Sequence, residues 1–299
     1  MTVNRLAPLV PTIALWIACA PLARAHSEAG GDVWKEGADP WVIGGLFVAM
    51  ALYAMGTTRL WQQAGLGAGV PVWRAGCYIA GLGILAVALL PPVDTLGSEL
   101  FSMHMLQHEL LMLGAAPLLV AGMPLGVFLW AFSPPWRKRV SMALRWRPLR
   151  VVWRRLMQPL VAWSIHAAML WAWHAPRFFE AGLLDDDVHV AQHLCFLISA
   201  LLFWSALIGA RSPIRDGSAV VYLLTTLIHS GMLGALLTFS PRAWYPFYAG
   251  RTEAWGISLL ADQQLGGLVM WVPAGMVLIL AALVFASRVL RLSTSGRRA

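Results

Sequence analysis

Hydrophobic positions along this chain collect into seven long runs, each separated from the next by a short polar segment. At about 1.5 Å of rise per residue, a helix of roughly 20 apolar residues crosses the hydrocarbon core of a bilayer. The pattern therefore predicts seven transmembrane helices. We place them at Trp41–Trp61, Val72–Leu90, Met103–Phe132, Pro159–Pro176, Val188–Gly209, Ala219–Ser240 and Leu265–Val289. The third run is too long for a straight crossing. Pro117 and the step Gly122–Pro124 predict that it is kinked or that a short re-entrant piece breaks off from it.

Composition supports this class. Hydrophobic residues make up 59% of the 299, charged residues 12%, and the mean hydropathy is +0.67. A soluble domain has roughly 45–50% apolar and about 25% charged residues. The fold class is therefore an all-α polytopic membrane bundle, and a soluble globular protein is excluded.

The start of the chain has the features of a secretory signal peptide. Residues 1–25 contain a basic Arg5, an apolar core at Leu9–Ala20 and an A-x-A pattern at Ala23–Ala25. An uncleaved first span is the alternative interpretation. With cleavage, a short periplasmic segment at 26–40 would begin at His26, followed by the seven-span domain at 41–290 and a cytoplasmic tail at 291–299.

Charge predicts the orientation of the bundle. The linker Ser133–Leu156 carries eight basic residues and no acidic one. Basic residues also follow the fifth span, at Arg211 and Arg215, and the last span. The positive-inside rule places all three segments in the cytoplasm. We therefore expect a multi-pass protein of the bacterial inner membrane, with its mature N-terminus in the periplasm and its C-terminus in the cytoplasm. The net charge of +8 is explained by this topology and does not indicate nucleic-acid binding.

Two copies of the pattern HxxQH stand near the periplasmic ends of the third and fifth spans. The first pairs His104 with His108, and the second pairs His189 with His193. Residues at i and i+4 lie above one another on one helix face, about 6 Å apart. Each pair could therefore bind one metal ion or face a partner across the bundle. The glutamine of each pattern could hydrogen-bond an imidazole and fix its tautomer.

Two more polar residues share this level of the membrane. His174 ends the fourth span, and Asp262 begins the last one. Ionisable side chains are costly at membrane depth and usually bind or carry something. Five histidines from three helices therefore predict a metal site, with Asp262 as an added ligand or a partner of the ligands.

Copper is the metal that the surrounding residues favour. Imidazole suits copper, zinc, iron and nickel, whereas thioether sulfur selects reduced copper, and methionines accompany the histidines. A secondary group of candidates comprises His166, His229, Met105, Met112, Glu109 and Gln263. The two deep histidines could be hydrogen-bonded core residues or form a second site or a transfer path. Glu109 could be neutral, pair with a deep histidine or relay a proton.

Three other functions are compatible with the same pattern. Facing histidines on neighbouring spans could bind haem, as in an electron-transfer protein of the cytochrome b type. A copper permease could use His229 and His166 as a deeper path. A scaffold could clamp another membrane protein while its histidines serve only structure.

One family shares these motifs in the same order and spacing. The third span resembles the signature span of the CtaG-type seven-span assembly factors of caa3-type cytochrome c oxidases. The resemblance covers roughly residues 41–290. It is carried by Ser102–Met112, Ala116–Leu119, Gly122–Pro124, Trp173–Pro176, Val188–His193, Asp262–Gly267 and Met270–Pro273.

The resemblance implies a factor that matures a haem–copper oxidase by handling copper for its metal centres. Its partners would be cytochrome c oxidase subunits, membrane lipid and a periplasmic copper donor. Such a factor would act by ligand exchange and not as an enzyme. The oligomeric state, the redox state of the copper and the oxidase centre that receives it stay open.

Overall fold

The fold is described here from a computed structural model that covers residues 39–209, 212, 214 and 216–295. The predicted signal peptide, His26, Arg211, Arg215 and the last four residues of the cytoplasmic tail lie outside the described residues. The part of the chain that is described forms helices, joined by turns and short loops, with no β-strand in it. The prediction of an all-α fold is confirmed for these residues.

Thirteen α-helices are described. They are α1 (Pro40–Ala64), α2 (Val72–Leu89), α3 (Val93–Glu99), α4 (Phe101–Glu109), α5 (Ala116–Ala121), α6 (Pro124–Ala131), α7 (Pro134–Ala143), α8 (Arg147–Leu156), α9 (Pro159–His174), α10 (Pro176–Leu184), α11 (Asp186–Ile208), α12 (Asp216–Thr238) and α13 (Leu259–Ser295). A π-helical turn at Leu110–Ala115 joins α4 to α5, and two 3₁₀ turns lie at Pro246–Tyr248 and Thr252–Trp255.

Five segments of the described chain are long and apolar enough to cross a membrane. They are Pro40–Ala64, Val72–Glu99, Asp186–Ile208, Asp216–Thr238 and Leu259–Arg291. A sixth crossing results if Phe101–Ala121 and Pro124–Ala131 form one broken span. The fourth predicted span corresponds to α9, whose 16 residues are short for a crossing. A multi-pass membrane protein is thus supported, whereas the number of seven spans stays a prediction.

The predicted break in the third span lies between α5 and α6, which are bent by 60°. Met123 has a left-handed conformation with φ of 53°, and Pro124 begins the next helix. The break is packed tightly, since a Cβ on Gly122 would lie 2.5 Å from the Cβ of Tyr78. The hydroxyl of Tyr53 donates to the freed carbonyl of Gly122 at 2.9 Å. Buried hydrogen bonding therefore compensates the interrupted helix.

The basic linker is folded into the two short helices α7 and α8. Neither helix has a buried residue, and α8 carries its arginines on one side of a strongly amphipathic segment. Arg137 lies 4.1 Å from the ring centre of Trp130. This exposed, basic and aromatic surface is typical of helices that lie along a membrane interface.

Close helix packing against α13 positions the functional region. A Cβ on Gly267 would lie 2.6 Å from the backbone nitrogen of Thr238 on α12. A Cβ on Gly266 would lie 2.4 Å from the Phe101 ring, at the start of α4. Small residues of this kind let helices approach closely. The last helix therefore contacts α12 on one side and the helix with the first histidine pair on the other.

Candidate metal centre

The two HxxQH pairs face each other in the bundle. His104 and His108 lie on α4, and His189 and His193 lie on α11. Within each pair the ring centres are 4.4 and 4.2 Å apart. Across the helices, His193 lies 5.9 Å from His104 and 5.4 Å from His108. The structure thus brings all four imidazoles into contact.

Three of these imidazoles can hold one ion. One nitrogen atom from each of His104, His189 and His193 lies within 4.8 Å of the other two. An imidazole nitrogen binds zinc at about 2.0–2.1 Å, so two ligands of one such ion are at most ~4 Å apart. Small side-chain rotations would therefore bring the three nitrogens to binding distance.

His174 adds a fifth imidazole from the end of α9. Its Nδ1 lies 2.7 Å from the carbonyl oxygen of Leu170. Because a carbonyl oxygen only accepts, Nδ1 carries the proton and Nε2 keeps its lone pair. The ring centre of His174 lies 6.0 Å from that of His108. The contact with Leu170 is the kind that orients a metal-binding histidine.

The five histidines share an unusual feature, which is a buried Nε2 atom without a hydrogen-bond partner. Most buried polar atoms in proteins are hydrogen-bonded, and leaving one unpaired costs about 1–3 kcal/mol. Five such nitrogen atoms within one cluster form a set of ligand atoms suited to a metal ion. This observation fits copper or zinc better than a purely structural role.

Aromatic side chains enclose the cluster. Phe179 of α10 lies 5.0 Å from His104, and Phe196 of α11 lies 4.4 Å from His108, measured between ring centres. His104, His108 and His174 are each only 1% exposed. The walls are apolar and keep solvent from these three imidazoles. No sequence pattern singles out Phe179 or Phe196, because aromatic residues are common throughout the chain.

Comparison with known families identifies the group to which these motifs belong. The family model of the cytochrome c oxidase caa3 assembly factor matches residues 51–292. That range is well over half of the chain and contains every histidine of the cluster. This chain belongs to the caa3 assembly factor family. The family membership that the sequence motifs predict is thereby confirmed.

The curated relatives of this family member are mycobacterial. An uncharacterised protein of Mycobacterium bovis and one of Mycobacterium tuberculosis are each 27% identical over 239 residues, or 77% of this chain. An uncharacterised protein of Mycobacterium leprae is 25% identical over 209 residues, or 67% of this chain and 32% of the relative. This chain spans about a third of the length of these relatives, 36% for the first two. No solved structure matches it.

In this family member, Asp262 joins the last helix to the first histidine pair. Its carboxylate accepts hydrogen bonds from the backbone nitrogens of Phe101 and Ser102, at 2.6 and 3.2 Å, and from the Ser102 hydroxyl at 2.5 Å. It thus caps the first turn of α4 from another helix, and the carboxylate charge suits a helix N-terminus. His104 follows two residues later. The contacts give Asp262 a positioning role, and its role as a ligand stays a prediction.

The glutamines of the two patterns have different surroundings. The Gln107 amide donates to the carbonyl of Ala88 and to the carboxylate of Asp94, at 2.8 and 2.7 Å. Gln192 is fully buried, and a Cβ on Gly182 would lie 3.0 Å from its side-chain oxygen. Gln107 therefore connects the histidine helix to α2 and α3. The idea that it fixes a histidine tautomer stays a prediction.

Most of the secondary candidates lie apart from the cluster. His166 Nδ1 lies 3.2 Å from the Ser199 hydroxyl, and the His229 ring packs edge-on against Trp163 at 5.2 Å. Met105 is fully buried and faces Gly266 of α13. The structure does not test these residues as ligands.

Met112, Gln263 and Glu109 are the remaining secondary candidates. The carbonyl of Met112 accepts from the Trp204 indole at 2.9 Å. Gln263 accepts from the backbone nitrogen of Trp244 at 2.5 Å and thereby holds the loop before α13. Glu109 directly follows His108, at the junction with the π-helical turn, and its buried Oε2 has no hydrogen-bond partner. None of these contacts decides a role in metal binding.

A loop at residues 239–258 covers one side of the cluster. The Tyr245 hydroxyl donates to the carbonyl of His174 at 2.8 Å, and the Tyr248 hydroxyl donates to the carbonyl of Gly97 at 2.9 Å. Burial raises the pKa of both phenols above the ordinary value, so both hydroxyls keep their protons at neutral pH. Sequence reasoning missed this loop, because its path depends on contacts with distant helices.

Proposed function

We propose that this protein binds copper through the five-histidine cluster on the periplasmic side of the inner membrane and delivers it to a haem–copper cytochrome c oxidase during assembly. It does so by ligand exchange, without catalysing a reaction. The observation that carries the proposal is the convergence of five buried, unpartnered imidazole nitrogens from α4, α9 and α11. Membership of an oxidase assembly family supports the identity of the recipient.

The arrangement of the imidazoles suits transfer as well as binding. His104, His189 and His193 supply three close nitrogens, while His108 and His174 lie beside them. A site with more ligands than one ion requires can exchange them one at a time. All five ligands are neutral nitrogen donors, which are suited to copper and zinc. An ion could therefore leave toward a recipient without being released into solvent.

Haem binding is less well supported than copper binding. A porphyrin held by two histidines needs a flat space between facing imidazoles. Here the imidazoles contact one another directly, at 4.2–6.0 Å between ring centres. Phe179 and Phe196 fill the adjoining space. The rings of the cluster therefore leave no slot of the required shape.

A copper permease is the second candidate. Both ring nitrogens of His229 are buried without a hydrogen-bond partner. His229 also lies close enough to His166 for the two imidazoles to interact electrostatically. His166 precedes His174 by eight residues on α9, or about 12 Å along the helix axis. A deeper pair of imidazoles at this position is what a path through the bundle would require.

Metal analysis of the purified protein tests binding. The full chain, extracted in detergent from copper-supplemented cells, is expected to hold one or two copper ions, measured by plasma mass spectrometry. The double variant His104→Ala, His193→Ala should hold none, because two nitrogens of the close trio are removed. His229→Ala is the matched control and should keep its copper. Iron in place of copper would favour the haem function, and neither metal in the unaltered protein would contradict the proposal.

Delivery is tested in cells that assemble the oxidase. With copper supplied, cells carrying only the His104→Ala, His108→Ala variant should assemble oxidase that lacks copper. Cells carrying His229→Ala should assemble oxidase with its normal copper content. If the single substitution His229→Ala changed the copper content of the cytoplasm, the permease function would gain support. A normal copper content of the oxidase in the double variant would rule out delivery.

A further inference from the structure

Two of the five imidazoles in the histidine cluster retain some exposed surface. His104, His108 and His174 are each 1% exposed, whereas His189 and His193 of α11 are partly exposed. The two partly exposed imidazoles belong to the close trio, together with buried His104. The exposed surface of the cluster therefore belongs to the two imidazoles of α11.

The loop at residues 239–258 is fixed next to the cluster. It is fixed by the Tyr245 hydroxyl on His174, by the Tyr248 hydroxyl on Gly97, and by an ion pair at 3.1 Å between Arg251 and buried Glu99. These three contacts hold the loop to the end of α9 and to α3.

Two carboxylates lie near the partly exposed imidazole of His189. Asp186 precedes His189 by three residues on the first turn of α11, so the two side chains share a helix face. Asp94 of α3 is held by the amide of Gln107 at 2.7 Å. Both carboxylates lie close enough to the His189 imidazole to interact with it electrostatically. Both aspartates are partly exposed, whereas the Nε2 atoms of His189 and His193 are buried and unpartnered.

We propose that Asp94 and Asp186 form an access site that captures a hydrated metal cation and passes it to His189, the first imidazole of the trio. This inference rests on the proposed function of the cluster. Carboxylate oxygens are hard ligands that hold a hydrated cation weakly, whereas imidazole binds copper more strongly. The ion therefore moves from oxygen to nitrogen ligands, toward His104 and His193.

The neighbours of Asp186 provide controls. Asp185 caps α11, since its carboxylate accepts from the backbone nitrogen of Val188 at 3.0 Å. Asp187 is exposed, and the electrostatic contacts of His189 involve Asp94 and Asp186. Asp187→Asn therefore removes the same charge from the same helix turn without altering the access site. Asp94→Asn keeps a side-chain oxygen that can accept from Gln107.

The experiment measures how fast copper binds. The full chain in detergent is mixed with a cupric salt, free ion is removed at set times, and retained copper is counted at several salt concentrations. Electrostatic steering changes association rates by about 10-fold or more and weakens with salt. The Asp94→Asn, Asp186→Asn variant should bind copper about tenfold more slowly, with a flatter salt dependence and an unchanged final amount. Asp187→Asn should resemble the unaltered protein.

The outcomes separate this inference from the proposed function. An unchanged rate and salt dependence in the double variant would overturn the access site and leave the histidine cluster intact as a copper site. A lower final amount would make the carboxylates ligands and would also overturn it. An unaltered protein that binds no copper would overturn both proposals. If the double variant fails to fold, Asp186→Asn alone and the salt dependence of the unaltered protein give the same decision.

Discussion

The bundle contains two groups of histidines whose surroundings differ. In the five-histidine cluster every Nε2 is buried without a partner, and the imidazoles contact one another. About two helical turns away along α9, His166 bonds to the Ser199 hydroxyl, which in turn bonds to the carbonyl of Phe196. The Trp163 indole beside His229 donates to the Thr226 hydroxyl. In this apolar bundle, hydrogen bonding and not depth distinguishes a structural histidine from a candidate ligand.

His229 complicates that distinction. Its two ring nitrogens are unpartnered like those of the cluster, but its ring packs against Trp163, and the neighbouring His166 is hydrogen-bonded to Ser199. One unpartnered histidine supplies a single ligand, whereas a bound ion requires several. The number of converging nitrogens is therefore the stronger criterion, and the following predictions test it in order of their expected effect on copper binding.

The largest difference in copper affinity is expected between two single substitutions, one in each group of histidines. His193→Ala removes a nitrogen of the close trio and should weaken copper binding by more than about 100-fold, since even outer-shell losses cost 10–100-fold. His166→Ala removes a hydrogen-bonded core residue and should leave the affinity unchanged. Titration against a competing copper chelator measures both. Equal losses in the two variants would contradict the distinction between the groups.

Asp262→Asn should have the next largest effect. The carboxylate caps the first turn of α4 from α13, so the substitution removes a charge from a helix N-terminus and loosens the position of His104. We expect copper affinity to fall by about 10–100-fold, as for other outer-shell partners. Ser102→Ala, which removes only the hydroxyl donor, is the control with a smaller expected loss. An Asp262→Asn variant with full affinity would show that the cap does not position the ligand.

The sequence predicted the parts of this site that depend on geometry within one helix, and not the parts that depend on contacts between distant segments. The i, i+4 spacing of His104 with His108, and the position of His174 at a span end, depend only on helix geometry, so their shared level was predictable. The partner of Gln107 is Asp94, and the loop at 239–258 is fixed on His174 and Gly97. These contacts join distant parts of the chain, and no local pattern specifies them.

The same reasoning applies to the fold. The apolar runs predicted most of the membrane helices, and Pro124 predicted the break before α6, because proline cannot continue a helix. The π-helical turn at Leu110–Ala115 and the short α9 were not predicted. The runs show which residues are apolar, whereas the exact ends of helices depend on capping and packing.

A smaller effect is expected from the loop. Tyr245→Phe removes the hydrogen bond to the carbonyl of His174 and should lower the free energy of unfolding by about 0.5–1.5 kcal/mol. Copper affinity should fall only slightly, because the His174 imidazole keeps its own bond to Leu170. Since burial raises the pKa of Tyr245, the difference should persist at mildly alkaline pH. Tyr222→Phe, which removes a longer hydrogen bond of 3.3 Å to Phe203, is the control in thermal unfolding.

The smallest effect on copper is expected from Ser199→Ala. This substitution leaves Nδ1 of His166 without its partner, so stability should fall by about 1–3 kcal/mol while copper affinity stays unchanged. Thr225→Ala is the matched control, because Thr225 is exposed and its hydroxyl bonds only within its own helix. Thermal unfolding and chelator titration on the same samples give both quantities. A loss of copper affinity in Ser199→Ala would join the deeper histidines to the metal site and would favour a path through the bundle over delivery from one face.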